Sequence, residues 1–210
     1  MSKAIDPEGV LVALKRFEIP PASSLHSDQG FGMLALREIR ILKKVRHKNV
    51  VDLREVVTDK ATIGQPNRGE VYMSLAFCEF DLDSIICNRD LVMTPKHIQS
   101  YTYQILDGMQ RLHKNRVLHR DLKPANILVT ASNVIKITDF GMSKLIPATD
   151  RKPLTTDASI CTLWYRAPEI ILGDQRYGET FGASDMWSVG VIFAELLTGN
   201  RVTECSSERD

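Results

Sequence analysis

Apolar residues gather in three short runs, Val10–Phe17, Val50–Val57 and Val71–Phe77, each bounded by polar stretches, and this pattern predicts strands. From Met33 onward, Leu36, Ile39, Leu42 and Val45 recur at helical spacing, while Arg37, Glu38, Arg40, Lys43 and Lys44 fill the other positions. That alternation predicts a helix with one buried face. Pro20–Gly30 carries two prolines and three serines, and Thr58–Glu70 carries a Gly-Gln-Pro-Asn tract, so both are predicted loops. The first part of the chain therefore reads strand, helix, strand, strand.

After Asp81 the pattern turns helical. Ile98, Tyr101, Ile105, Met109 and Leu112 mark a long amphipathic helix that starts beside Thr94-Pro95, a cap and first-turn pair. Two β-like runs, Asn126–Val129 and Val134–Thr138, flank Ser132-Asn133 and predict a hairpin. A long irregular stretch is expected from Gly141 to Pro168, and loops of that length are commonly functional. An apolar helix over Ser184–Leu197 ends at a Gly199-Asn200 C-cap signal.

Composition narrows the classes. A chain of 210 residues, 43% hydrophobic and 25% charged, fits one large or two small globular domains and excludes a disordered or collagenous protein. With 27 Lys+Arg against 26 Asp+Glu, the net charge of +1 supplies no general field for nucleic acid or an anionic membrane. Neither is expected as a direct partner. Cys78, Cys87, Cys161 and Cys205 lie far apart with no CxxC pair, which argues for a reducing compartment rather than a zinc or disulfide framework. Residues 1–7 lack the apolar core of a signal peptide, and the longest apolar stretch, Val189–Leu197, is interrupted by Gly190 and Glu195, so no membrane span is expected.

The chemistry is carried by His119-Arg120-Asp121-Leu122-Lys123-Pro124-Ala125-Asn126, then Asp139-Phe140-Gly141, then Ala167-Pro168-Glu169, in that order. The set resembles the catalytic-loop, magnesium-loop and APE motifs of protein kinases, and three ordered matches are far more specific than any one alone. The resemblance implies an α+β, bilobal kinase-like fold: a small lobe over residues 1–75, a hinge over 76–80 and a mainly helical large lobe over 81–210. It also implies phosphoryl transfer from ATP with Mg2+, a reaction in which the protein chiefly positions groups and neutralises charge. Asp121 would accept the proton of the attacking hydroxyl, Asn126 and Asp139 would offer hard oxygen ligands to Mg2+, and Lys123 would meet the transferring phosphate. Lysine at this last place is the pattern of serine/threonine kinases.

Upstream, Val12-Ala13-Leu14-Lys15 resembles the third-strand lysine motif, with Glu38 as its ion-pair partner. Leu75–Glu79 resembles the gatekeeper and hinge, where Leu75 would border the adenine and the backbones of Ala76 and Cys78 would hydrogen-bond its edge. Within the kinases, Leu34–Ile39 and Thr162–Glu169 resemble the cyclin-dependent family: the first its cyclin-contacting helix, the second, with Thr162 and Arg166, its platform for proline after the phosphorylated residue. The implied partners are a cyclin-type regulatory subunit and protein substrates with Ser/Thr-Pro sites. The implied compartment is the nucleus, with the cytoplasm as a further location.

In that family three basic residues surround an activation-loop phosphothreonine; their places here are Arg37, Arg120 and Lys144, and the phosphothreonine place is Asp157. A fixed carboxylate would engage one or two of these cations without an activating kinase, with less charge than a phosphate. The alternative is phosphorylation at Thr155 or Thr156. Asp157, Gln104–Gly108 and Phe193–Leu197 resemble the Mediator-associated branch, whereas Gly30-Phe31 resembles the elongation-type transcriptional kinases.

Gly30–Ala35 matches GxGxxA with Asp52 downstream, but no strand precedes it, so a dinucleotide fold is not expected. His113 and His119 lack a second ligand at metal spacing and are expected to be structural; Asp185 resembles an aspartate that braces the catalytic loop. The resemblance further implies that the family's first strand and glycine loop, and its last large-lobe helices, are absent. A non-catalytic module that binds a cyclin or nucleotide is the alternative class.

Overall fold

A computed structural model describes residues 1–17, 33–58, 70–146, 162–173 and 181–202. Asp157, Thr155, Thr156, Gly30, Phe31, Cys161, Cys205 and most of both predicted long loops lie outside the described residues.

Four strands form one antiparallel sheet in the order β1-β2-β4-β3: β1 (Ser2–Ile5), β2 (Leu11–Phe17), β3 (Leu53–Thr58) and β4 (Val71–Ala76). The β1–β2 turn is built by Asp6, whose carboxylate accepts from Glu8 N at 3.0 Å and Val10 N at 2.7 Å, while Gly9 takes the left-handed φ of 82° that the reversal needs. Lys15 faces Met73, and Ala13 faces Leu75, across β2 and β4. Alternation along a strand therefore puts Lys15, Ala13 and Leu75 on one face of the sheet. Helix α1 (Met33–Lys44) packs with this sheet through Ala35, Ile41 and Leu42, which are buried with Met73 and Leu75 in one core.

The second predicted strand, Val50–Val57, is corrected. Its first half leaves the sheet: Val50 makes an isolated parallel bridge to Ile137, Val51 N donates to Ile137 O, and pairing with β4 begins at Leu53. A β-branched-rich run does not reveal which sheet its backbone serves.

The second part begins with β5 (Phe80–Asp81) and α2 (Leu82–Cys87), the latter capped by Asp81, and continues with α3 (Pro95–Lys114), capped by Thr94. Then come β6 (Val117–Leu118), β7 (Ile127–Val129), β8 (Ile135–Ile137) and β9 (Lys144–Leu145). β7 and β8 form the predicted hairpin, whose turn uses Asn133 at φ 59°, fixed by Tyr101 Oη at 2.7 Å. Asn126 lies in a single 3₁₀ turn over Pro124–Asn126 rather than in the strand. Gly141–Pro168 is not wholly irregular, since β9 pairs with β6 and Leu163–Tyr165 forms another 3₁₀ turn. α4 (Pro168–Ile171) and α5 (Ala183–Thr198) complete the described elements. No described helix is long and apolar enough to cross a membrane.

Candidate active site

The two parts meet at Lys15. Its ammonium donates to both oxygens of Glu38 at 2.9 Å and to Asp139 Oδ1 at 2.9 Å, joining β2, α1 and the loop after β8. Glu38 is buried, with 3% of its surface exposed, because α1 turns its polar position 38 toward the sheet. Burial works against the charged form of all three groups. At Lys15 the charges of Glu38 and Asp139 outweigh it and hold the pKa above its ordinary value. At Glu38, the most deeply buried, desolvation outweighs the ammonium and leaves the carboxyl raised. At Asp139 burial is outweighed by the Lys15 bond and charge, so the carboxyl sits below its usual range and is ionised at neutral pH.

Asp121 forms the second cluster. Its Oδ2 accepts from Lys123 Nζ at 3.0 Å and Asn126 Nδ2 at 3.2 Å, while its Oδ1 accepts from Thr162 N at 3.0 Å and Thr162 Oγ1 at 3.2 Å. Lys123 Nζ also reaches Thr162 Oγ1 at 2.8 Å, so Lys123 and Thr162 clamp the carboxylate together. Asn126 Nδ2 donates a further bond to Asp121 O at 2.8 Å, which fixes the amide flip and leaves its Oδ1 for another ligand.

A scaffold beneath holds these groups. Asp185, fully buried near the start of α5, accepts from Arg120 N at 2.9 Å through one oxygen; through the other it accepts from His119 N at 3.0 Å and His113 Nε2 at 2.8 Å. Arg120 needs this support, since its φ of 68° is left-handed for a residue with a Cβ. His119 Nε2 stands 3.0 Å from Thr138 O and Nδ1 accepts from Asp121 N at 3.4 Å, so its ring ties the loop of Asp121 to the loop of Asp139. Both histidines are thus hydrogen-bonded parts of the framework, and no cluster of three His, Cys, Asp or Glu that could hold a metal exists among the described residues.

Gly182 supplies a direct check of this scaffold. It has φ 86°, and a Cβ there would stand 2.5 Å from His113 Cε1 and 2.6 Å from its Nδ1. Gly182→Ala is expected to destabilise the chain by about 3 kcal/mol, combining left-handed strain with overpacking of a ring that cannot swing away without releasing Asp185. Urea denaturation measures this; an unchanged midpoint would contradict it.

Beside Lys15 opens a cleft of about 230 Å³ lined by Ala13, Val51, Leu75, Leu128 and Thr138, with Met1–Lys3 and Ala76–Cys78 at its margins. Sequence reasoning named Leu75, Ala76 and Cys78 here but missed Ala13, Val51 and Leu128. Ala13 was within reach, because it stands two residues before Lys15 on the same strand face. Ala76 N donates to Asp52 O at 2.9 Å, which removes that donor from those open to a ligand. Burial pushes the Cys78 thiol up to about 11, so it presents neutral surface.

Of the predicted basic cluster, Arg120 Nε donates to Met142 O at 2.8 Å, Lys144 lies in β9 opposite Leu118, and Arg37 is half-buried on α1. Their predicted centre, Asp157, is outside the described residues. Arg166 is buried at the end of the segment 162–166, which α5 holds through Ser188 Oγ to Tyr165 O at 2.8 Å and the Tyr165 hydroxyl on Glu195.

The family described as Protein kinase domain matches residues 2–210. Cyclin-dependent kinase 9 of Homo sapiens is 35% identical over 202 residues, covering 96% of this chain and 52% of the human protein. Cyclin-dependent kinase C-2 of Arabidopsis thaliana is 38% identical over 210 residues, covering 96% of this chain and 39% of the plant protein. A chain in the crystal structure of the yeast RNA Pol II CTD kinase CTDK-1 complex superposes with a TM-score of 0.81 at 31% identity, over 98% of this chain and 61% of that one. This chain thus spans about half or less of those two curated relatives. Motif order, the Lys15 and Asp121 clusters and these matches agree: the chain belongs to the protein kinase domain family and groups there with the cyclin-dependent kinases.

Proposed function

We propose that this chain carries the catalytic site of an ATP-dependent protein serine/threonine kinase that is cyclin-regulated and acts on Ser or Thr followed by Pro. The observation that carries the reading is the Lys15 ammonium, 2.9 Å from both Glu38 and Asp139, residues 23 and 124 positions away in the chain. A cation so placed is aimed by one carboxylate and shared with a second that still has an oxygen to offer.

The residues fit Mg2+, which takes a few hard oxygens from protein and completes its shell with phosphate and water. Asp139, ionised and 43% exposed, and Asn126, with its Oδ1 left over, would hold it. When bound, Mg-ATP supplies the transferable phosphoryl group with part of its negative charge neutralised. The chain does the rest by position. Lys15 grips the nucleotide phosphates, Glu38 fixes the direction of that ammonium, and Ala13, Val51 and Leu128 offer an apolar slot to the base. Asp121 orients the substrate hydroxyl and takes its proton. Lys123 places a positive charge beside that carboxylate where charge develops on the transferring group. Thr162, bonded to both, acts as a positioning residue.

The basic residues Arg37, Arg120 and Lys144 are proposed to meet the carboxylate of Asp157, or a phosphate on Thr156, and the platform at Thr162 and Arg166 to favour proline. The nucleus is the proposed compartment; the solved yeast relative is, by its own description, an RNA Pol II CTD kinase. The test is transfer of the γ-phosphate to matched Ser-Pro, Ser-Ala and Tyr-Pro peptides, with and without a cyclin subunit, using Asp139→Asn as the blank. Cyclin-stimulated transfer confined to Ser-Pro supports the whole reading. Equal use of Ser-Ala would remove proline direction, and transfer surviving in Asp139→Asn would remove the proposed site.

A further inference from the structure

Of the 9 prolines in the chain, Pro95 alone follows a Ser or Thr, so Thr94-Pro95 is its one Ser/Thr-Pro step. The step stands where α2 hands over to α3. A turn comes first, in which Asp90 N donates to Asn88 Oδ1 at 3.0 Å and Leu91 N to Asn88 O at 3.1 Å. Val92 and Met93 then belong to no helix or strand, and Thr94 has an extended backbone with φ −76° and ψ 157°. Leu91, Val92, Thr94, Pro95 and Lys96 are all exposed, Val92 at 86%, and only Met93 packs against the core.

The hydroxyl is held weakly. Thr94 Oγ1 accepts from His97 N at 3.4 Å, and His97 Nδ1 accepts from Thr94 N at 3.4 Å, so both cap bonds are long. Opening them frees the exposed Leu91–Pro95 stretch to lie extended across an enzyme's substrate surface. A phosphate is also tolerated there, because the first turn of α3 holds Lys96 and His97 and no acid. The chain's own active site is out of reach. From Thr94 to His113 the helix rises about 28 Å, and His113 shares Asp185 with the N–H groups of His119 and Arg120 in the catalytic loop.

We propose that Thr94 is a phosphorylation site for proline-directed kinases and that a second copy of this chain phosphorylates it. In the transfer Thr94 Oγ1 bonds to the γ-phosphorus of ATP, and the bond from that phosphorus to the β–γ bridging oxygen breaks. ADP leaves, and the hydroxyl proton goes to Asp121 of the acting copy. The site itself needs only the exposed Thr-Pro step; the acting copy rests on the kinase reading above.

An isotopically labelled Asp139→Asn chain, disabled as an enzyme, serves as substrate in two reactions mapped by mass spectrometry. One contains a separately purified, active proline-directed kinase. The other contains the parent chain with a cyclin subunit, whose transfer to a Ser-Pro peptide is followed in parallel. Phosphate on Thr94 of the labelled chain is expected in both, lowered about tenfold or more by adding Pro95→Ala to that chain. This change keeps the hydroxyl and suits the first turn of a helix, and circular dichroism confirms the fold. An unmodified Thr94 in the first reaction would overturn the site, and indifference to Pro95→Ala would overturn its proline dependence. Transfer to the Ser-Pro peptide with Thr94 of the labelled chain untouched would overturn the action of a second copy. If the parent chain leaves the Ser-Pro peptide unmodified while the added kinase modifies Thr94, the kinase reading fails together with the second copy's part, and the site stands.

Discussion

Asp121→Asn is expected to lower kcat for phosphate transfer by a factor of about 10²–10⁴ while leaving nucleotide affinity nearly unchanged. The isostere keeps the volume but brings an amide into a position where the present carboxylate receives four donors, from Lys123, Asn126 and Thr162. It can neither accept the substrate proton nor neutralise Lys123, and one of its faces now opposes donor with donor. Steady-state rates at saturating ATP measure the effect. A loss smaller than about threefold would mean that the proton goes elsewhere.

Asp185→Ala should have the largest effect on stability, about 3–5 kcal/mol in urea denaturation, because it strands buried donors rather than merely deleting a contact. His119 N, Arg120 N and His113 Nε2 would all lose their acceptor, and the left-handed Arg120 would lose its brace. The difference should also depend on pH. Burial alone would raise the Asp185 carboxyl, but the His113 bond, the neighbouring His119 and the Arg120 N–H outweigh it and hold the folded pKa below the ordinary 3.8. A depressed carboxylate contributes its stability above the unfolded value and loses it as pH falls toward the folded one. The gap between parent and variant should therefore be full near neutrality and shrink only below about pH 4. A gap that widens on acidification would contradict the hydrogen-bonded carboxylate.

Periodicity alone made β2, α1, β4, α3 and the last helix legible, because each buries one face of a run long enough to show its repeat. The apolar run at 50–57 misled, since its halves serve different sheets and a hydrophobic pattern carries no information about backbone partners. α2 and α4 were too short to display a period, and β9 is a two-residue strand recognisable only through its pairing with β6. Motif order named Lys15, Glu38, Asp121, Asn126 and Asp139, and the fold gathers them into the two clusters around Lys15 and Asp121. That Asp139 shares the Lys15 ammonium, that Thr162 closes on Asp121, and that one oxygen of Asp185 serves both His113 and His119 all depend on contacts between distant segments. No local pattern encodes them.

The claim that the chain itself assembles a magnesium-nucleotide site is tested most directly by calorimetric titration with ATP, with and without Mg2+, since binding needs no activating partner. The account predicts saturable one-site binding that Mg2+ strengthens, with the magnesium gain lost in Asp139→Asn and overall affinity reduced in Lys15→Met. Binding indifferent to Mg2+, or a magnesium gain that persists in Asp139→Asn, would contradict it.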